Sequence, residues 1–395
     1  MRTLLEPSKQ SLNGNSSRSK VGVFALPAGW SGCAFWRMRK PLEKLMELGT
    51  EVNTTIAANS NKTFSMSDVI STLSTTSIAH LQAPGCSDAV TLMKLYHAEG
   101  KKIVVDYDDY SFDLDPGNPR YAELGTKECE VLDDKGNVKF RWRDGENGFD
   151  LKANVSRYDG FVRCVELADM VTTTTDYIAD KFRPLNKNVR ILPNSIDLGL
   201  WKPLRRPAKY ADQVRIGWFG GDSHYVDLLV IKDAIPKILQ KYPQARFVIQ
   251  APKHPEWVSV FKDIPQDRFE WYPWVDLRYY TLFLASRHID IGLCPLADNT
   301  FNKCKSSIKW MEFAAFRTPS ICQNIPPYSK TIDNGSDGLL ADTEQEWVDH
   351  ISMLIEDRDT RNIMGSSAYD SVARDHELSK NCRLWERAYK DLAGV

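Results

Sequence analysis

Lys305-Ser-Ser-Ile-Lys-Trp-Met-Glu-Phe-Ala-Ala-Phe-Arg-Thr-Pro319 comes shortly after a strand-like run, Ile289-Asp-Ile-Gly-Leu-Cys-Pro-Leu296. Read as a helix, the stretch places Lys305, Lys309 and Glu312 at i, i+4 and i+7, on one face. Ile308, Met311 and Ala315 fall on the neighbouring apolar stripe. Ser306 or Ser307 is positioned to cap the N-terminus. A capped helix end with lysines in its first turns can hold a diphosphate, and a carboxylate one turn on can accept from ribose hydroxyls. The pattern therefore suits a sugar nucleotide. The same spacing also fits a half-buried helix on which Lys309 and Glu312 form a surface pair.

Upstream, Val214-Arg-Ile-Gly-Trp-Phe219 reads as a buried strand leading into Gly220-Gly-Asp-Ser-His224 and a helix from about Val226. Two glycines after a strand let a ligand approach the backbone, and the helix start favours an anion. Asp222 fits equally well as a cap. His224 gains interest from its place at the carboxyl end of a first strand. The loop has neither the GxGxxG fingerprint nor a P-loop lysine, so NAD and ATP are not supported. Further strands are expected at Phe247–Gln250, Glu270–Tyr272 and Ser320–Cys322.

The first half repeats this rhythm. Val21–Leu26, Ile78–Leu81, Lys102–Asp106, Ala168–Thr175 and a strand from Val189 alternate with helical stretches at Phe35–Leu48 and Ser87–Glu99. Short strands alternating with helices predict a parallel, doubly wound α/β sheet in each half. Residues 111–160 interrupt it with a turn cluster at Asp115–Arg120 and a hairpin, Glu130–Trp142, turned at Asp134–Asn137. Asp106-Tyr-Asp-Asp109, at the end of a strand, can bind a cation, hold an acceptor hydroxyl or supply a base. It can equally cap the next segment. Trp30-Ser-Gly-Cys-Ala-Phe-Trp-Arg-Met-Arg39 offers Ser31 and Gly32 as a flexible turn, with Arg37 and Arg39 in the next helix.

The chain has 395 residues, room for two domains. Its 51 basic and 52 acidic residues cancel, so no global positive field advertises nucleic acid or an anionic membrane. The eight cysteines show no metal-ligand spacing and read as reduced thiols in a cytoplasm-like compartment. Residues 1–20 read as a disordered leader, and no stretch is long and apolar enough to span a membrane.

Ala168-Asp-Met-Val-Thr-Thr-Thr174, Leu192-Pro-Asn-Ser-Ile-Asp197, Trp218-Phe-Gly-Gly221 and the pair Ile291–Leu296 and Lys305–Pro319 together carry a resemblance. In their order and spacing the chain resembles the retaining GT-B glycosyltransferases of group 1, over residues 21–390 and most weakly over 111–160. The resemblance implies an α/β chain of two facing Rossmann-like domains (GT-B), with a hairpin insertion in the first. The first, acceptor-side domain would span 21–200, a linker 201–213 and the nucleotide-sugar domain 214–378. A helix over 379–395 would pack back on the first domain. The implied activity is hexosyl or pentosyl transfer, with retention, from a UDP- or GDP-sugar to a hydroxyl, with no metal or other cofactor required.

By that resemblance Lys305 and Lys309 neutralise the departing diphosphate, and Asp106 and Asp109 are further catalytic candidates. Gly220, Gly221, Asp222, His224, Ser306, Ser307 and Glu312 bind the donor, while Ser31, Gly32, Arg37 and Asp108 lie on the acceptor side. The family's donor motif pairs two glutamates eight residues apart, the second seven before a proline. Glu312 and Pro319 match, but Cys304 stands at the first position, with Asp298 and Asn302 as substitutes for the missing group.

A likeness to bacteriophage glycosyltransferases implies an acceptor such as a hydroxymethylated pyrimidine in DNA, met by Arg37, Arg39, Lys40, Arg141 and Arg143, in the cytoplasm of a bacterial host. A surface glycan or small glycoside stays open as acceptor. Two other readings stand beside this one. A metal-dependent transferase would use Asp106 and Asp108, and a non-catalytic protein would bind a nucleotide sugar or glycan without turnover.

Overall fold

The computed structural model describes residues 21–29, 31–57, 67, 70, 74–132, 138–251, 255–262 and 264–395. The expected leader over 1–20, Trp30 and the hairpin turn at Asp134–Asn137 lie outside these. Two six-stranded parallel sheets organise the chain. The first is ordered β2-β1-β3-β4-β7-β8, from β1 (Val21–Leu26), β2 (Val52–Ile56), β3 (Ile78–Gln82), β4 (Lys102–Asp106), β7 (Met170–Thr173) and β8 (Val189–Ile191). The second is ordered β11-β10-β9-β12-β13-β14, from β9 (Val214–Phe219), β10 (Ala245–Gln250), β11 (Phe269–Tyr272), β12 (Ile291–Cys294), β13 (Ser320–Gln323) and β14 (Leu339–Ala341).

Central strands such as β3, β7, β12 and β13 are buried along their whole length, as a sheet covered by helices on both faces requires. The edge strand β2, with Asn53, Thr54 and Thr55, buries only alternate residues and carries no apolar run to betray it. In each sheet the order reverses beside the first strand, between β1 and β3 and between β9 and β12. Ligands of open α/β sheets bind at the carboxyl ends of such strands.

The first helix begins at Gly32 rather than Phe35, because the Ser31 hydroxyl accepts from the Ala34 amide at 3.2 Å. It passes through a π-helical turn, Phe35–Arg39, before continuing as Lys40–Glu47. The wider turn helps carry Arg37 inward, where it is fully buried.

Between β4 and β7 the chain forms an antiparallel hairpin, β5 (Cys129–Leu132) and β6 (Val138–Trp142). Beside it Leu114, Tyr121, Leu124 and Phe149 form a small core that Phe301 of the second half completes. The insertion thus bridges the halves. The last helix, Leu378–Ala393, sinks Leu378, Cys382, Trp385 and Tyr389 into the first half's core against Val21, Val23 and Met38. The helix before it, Arg358–Asp375, passes close to Arg317. A Cβ on Gly365 would sit 2.0 Å from the Arg317 carbonyl oxygen, so only glycine permits that approach.

Candidate functional site: an interdomain cleft

Gly32, Cys33, Trp36, Asp108, Asp109 and Asn194 of the first half face Gly220, Gly221, His224, Lys305, Ser306, Lys309 and Glu312 of the second across one cavity of about 210 Å³. On the second half, β9 ends on the buried pair Trp218-Phe219 and turns at Gly220. A Cβ on Gly220 would meet the Trp218 ring at 2.5 Å, so the glycine lets the indole fold beneath the loop. Around Gly221 a Cβ would find no atom within 4 Å, leaving its backbone open to the cleft. Asp222 opens a short turn, Asp222–His224, that runs into the helix Tyr225–Leu229. Asn118 of the insertion donates to the Ser223 carbonyl at 3.3 Å.

His224 Nδ1 lies 2.6 Å from Asp227 Oδ2. Burial, then the nearby charges of Lys309 and Lys305, bring the imidazole down to about 4, so the ring is neutral near pH 7. Burial, the largest single influence, pushes the Asp227 carboxyl upward, but His224, the charge of Lys305 and the Ala297 amide together hold the group below its usual range.

The stretch 305–319 is not one helix from Lys305. Asn299 caps an earlier helix, Thr300–Lys303, and Lys305–Ser307 form the turn that follows. The next helix is Ile308–Ala314, and neither serine caps it by its side chain. The Ser306 hydroxyl instead accepts from Asn194 across the cleft at 2.7 Å, and Ser307 holds the cap position without a side-chain bond. Lys305 is drawn to Asp109 on the opposite wall, 3.7 Å away, and lies over the Phe301 ring at 4.1 Å.

Lys309 donates to the Phe219 carbonyl and sits 5.6 Å from the Trp218 ring centre. Burial lowers its pKa. Glu312 is 7% exposed and accepts from the Tyr280 hydroxyl at 3.0 Å. Burial raises its carboxyl to about 7, against the opposing pull of Lys309 and Tyr280. Both groups turn into the cleft, so the surface-pair reading of this helix does not hold.

The carboxylates of the first half divide. Asp106 is 0% exposed and receives Arg37 Nε at 3.1 Å, Arg37 Nη2 at 2.6 Å and the Thr172 hydroxyl at 2.7 Å. Arg37, also 0% exposed, donates further to the Leu192 carbonyl and to Asn194, and lies 5.2 Å from the Trp385 ring centre. Asp106 and Arg37 are thus withdrawn from the cleft, which corrects both as site residues. Ser31 is corrected too, since it does not line the cavity and its hydroxyl accepts the helix-cap bond.

Asp108 and Asp109 do line the cleft. Burial, then the charge of Asp109, lifts Asp108 to about 7. The convergent donors here are Cys33, Asp108 and Asp109, whose ligand atoms lie within 4.8 Å of one another. A metal site on Asp106 and Asp108 does not form, because Asp106 turns to Arg37.

Nor does either expected substitute, Asp298 or Asn302, fill the missing glutamate's place. Cys304 is buried in the first half's core, Asn302 is bonded to Asp227 and to the Ala297 carbonyl, and Asp298 pairs with Lys303. None of the three lines the cleft. Of the proposed basic groove, Arg37 is buried, Lys40 pairs with Glu43 and Arg143 with Glu146. Sequence reading missed Asp227, Tyr280, Trp274 and Gln250. Only Asp227, three residues after His224 at helical spacing, carried a signal.

Residues 213–357 match the family model described as glycosyl transferases group 1. No curated protein matches the chain in sequence. Solved structures similar to it include Anabaena HepE in complex with UDP (TM-score 0.61, 11% identity, covering 95% of this chain and 100% of that one). A glycosyltransferase from Rickettsia africae gives 0.64 at 12% identity, over 95% and 99% of the two chains. Sucrose-phosphate synthase from Thermosynechococcus elongatus gives 0.62 at 12%, over 95% and 100%. HepE has also been solved with UDP-glucose. Two Rossmann-like domains facing across a cleft, shared with these structures, define the GT-B fold.

Proposed function

We propose that this protein is a group 1 glycosyltransferase that moves a hexose or pentose, with retention, from a nucleotide sugar to a hydroxyl. The observation that carries the reading is the convergence of Lys305, Lys309, Glu312 and the Gly220-Gly221 loop on one cleft. The family match over that half and the UDP and UDP-glucose bound to HepE support a UDP-sugar, with a GDP-sugar the other candidate.

Lys305 and Lys309 offset the charge that develops on the departing diphosphate, and the open backbone at Gly221 admits its oxygens. Glu312, ionised, accepts from the ribose hydroxyls. Asp108 and Asp109 face the reacting sugar from the acceptor side. An acidic rim suits a neutral hydroxyl of a glycan or small glycoside better than a polyanion, so we rank these acceptors above modified phage DNA. Eight free thiols fit a bacterial cytoplasm.

Turnover of UDP-, GDP-, ADP- and dTDP-sugars, with and without manganese, tests the reading. Slow release of nucleotide from one donor without metal is expected, and its loss in Glu312→Ala separates turnover from contamination. Release only with manganese would overturn the metal-independent mechanism and point to Cys33, Asp108 and Asp109. Binding without release would favour the non-catalytic reading.

A further inference from the structure

Asp227 receives three hydrogen bonds while almost fully buried. Its Oδ1 accepts from the Ala297 amide at 2.9 Å and from Asn302 Nδ2 at 2.6 Å, and its Oδ2 faces His224 Nδ1 at 2.6 Å. An amide N–H can only donate. The Asn302 amide is oriented as well, because the same nitrogen donates to the Ala297 carbonyl at 2.9 Å. An ionised carboxylate can only accept, so the proton between Asp227 and His224 belongs to Nδ1. Ring position is fixed by packing. A Cβ built on Gly220 lies 3.3 Å from His224 Cδ2, and Trp218 meets the imidazole edge-on with centres 6.1 Å apart.

We propose that Asp227 is a positioning residue that holds His224 as the Nδ1–H tautomer, leaving Nε2 as a hydrogen-bond acceptor for a hydroxyl of the donor's sugar. This rests on the nucleotide-sugar reading and adds to it a polarity. Phosphate oxygens near neutral pH carry no hydrogen, so they repel the Nε2 lone pair, whereas a sugar hydroxyl donates to it. Burial and the charges of Lys309 and Lys305 keep the ring neutral against the opposing pull of Asp227, and the two lysines give the diphosphate a better place. The sugar then lies against the His224 turn. This supplies a hydroxyl contact that the family's first glutamate would make and that Cys304, buried in the first half's core, does not.

The test compares affinities for UDP and UDP-glucose, and for GDP and GDP-mannose, in wild type, Asp227→Asn and His224→Phe. His224→Phe leaves Ala297 and Asn302 bonded to Asp227, so it serves if Asp227→Asn does not fold. Expected is a loss of about three- to tenfold for the sugar nucleotide with the free nucleotide unchanged. Nitrogen NMR of the imidazole should show an unprotonated Nε2 in wild type and a shift toward Nε2–H in Asp227→Asn. Equal weakening of nucleotide and sugar nucleotide, or Nε2–H in wild type, overturns the proposal and leaves the nucleotide-sugar reading intact. Wild type that binds none of the four overturns both.

Discussion

Arg37 with Asp106 and Lys309 with Glu312 are both cation and carboxylate sets buried near the carboxyl ends of parallel strands, yet they differ in how far they are satisfied. Arg37 has both oxygens of Asp106, a carbonyl, an amide and an indole face, and Asp106 has a threonine hydroxyl besides. Lys309 has one carbonyl, and Glu312 has one tyrosine hydroxyl, among the described residues. Charges out of water need partners for all their donors and lone pairs. The first set has them and serves as scaffold, tying the first helix, β4, β7 and the last helix together. The second lacks them and opens on the cleft, as a site awaiting a ligand does.

The comparison breaks first at Arg37. Arg37→Ala should lose about 3–5 kcal/mol of folding stability, read by chemical denaturation, because it leaves Asp106 buried and unpaired. A folded variant of unchanged stability that has lost only activity would make Arg37 a site residue after all. Lys309→Ala should do the reverse. Donor binding should weaken by about 1.5–3 kcal/mol in calorimetry, with little change in the denaturation midpoint.

Glu312 sharpens the contrast through pH. Its carboxyl is raised to about 7, so the folded chain holds a proton that the unfolded chain releases in the ordinary glutamate range. Stability from this group is therefore greatest in acid and falls as pH rises to about 7. Glu312→Gln should remove that slope, a difference on the order of 3 kcal/mol at alkaline pH. Donor affinity should move oppositely, rising in wild type as the carboxylate forms and staying flat in Glu312→Gln. Asp109→Asn should matter least. Its pair with Lys305, on the cleft wall at 3.7 Å, is worth within about 1 kcal/mol.

Most of the fold was legible because its signals are local. Val21–Leu26, Val214–Phe219 and Ile291–Cys294 are apolar runs between turn residues, and alternation with helices implies parallel sheets. β2 was not legible, since Asn53-Thr54-Thr55 on an edge strand has neither the run nor a clean alternation. The donor wall was half legible. Gly220-Gly221 and Lys309 to Glu312 are contiguous motifs, but the short helix that Asn299 caps and the turn after it, which delay the second helix to Ile308, were not legible. What could not be read was pairing at a distance. Asp106 meets Arg37 across 69 residues and Glu312 meets Tyr280 across 32, and no spacing rule reaches that far.

The most direct measurement is a crystal structure with an intact UDP- or GDP-sugar. The account predicts the diphosphate against Lys305, Lys309 and the Gly221 backbone, the ribose on Glu312, and Arg37 still locked to Asp106. A diphosphate bridged by a metal to Cys33, Asp108 and Asp109, with Lys309 and Glu312 untouched, would contradict it.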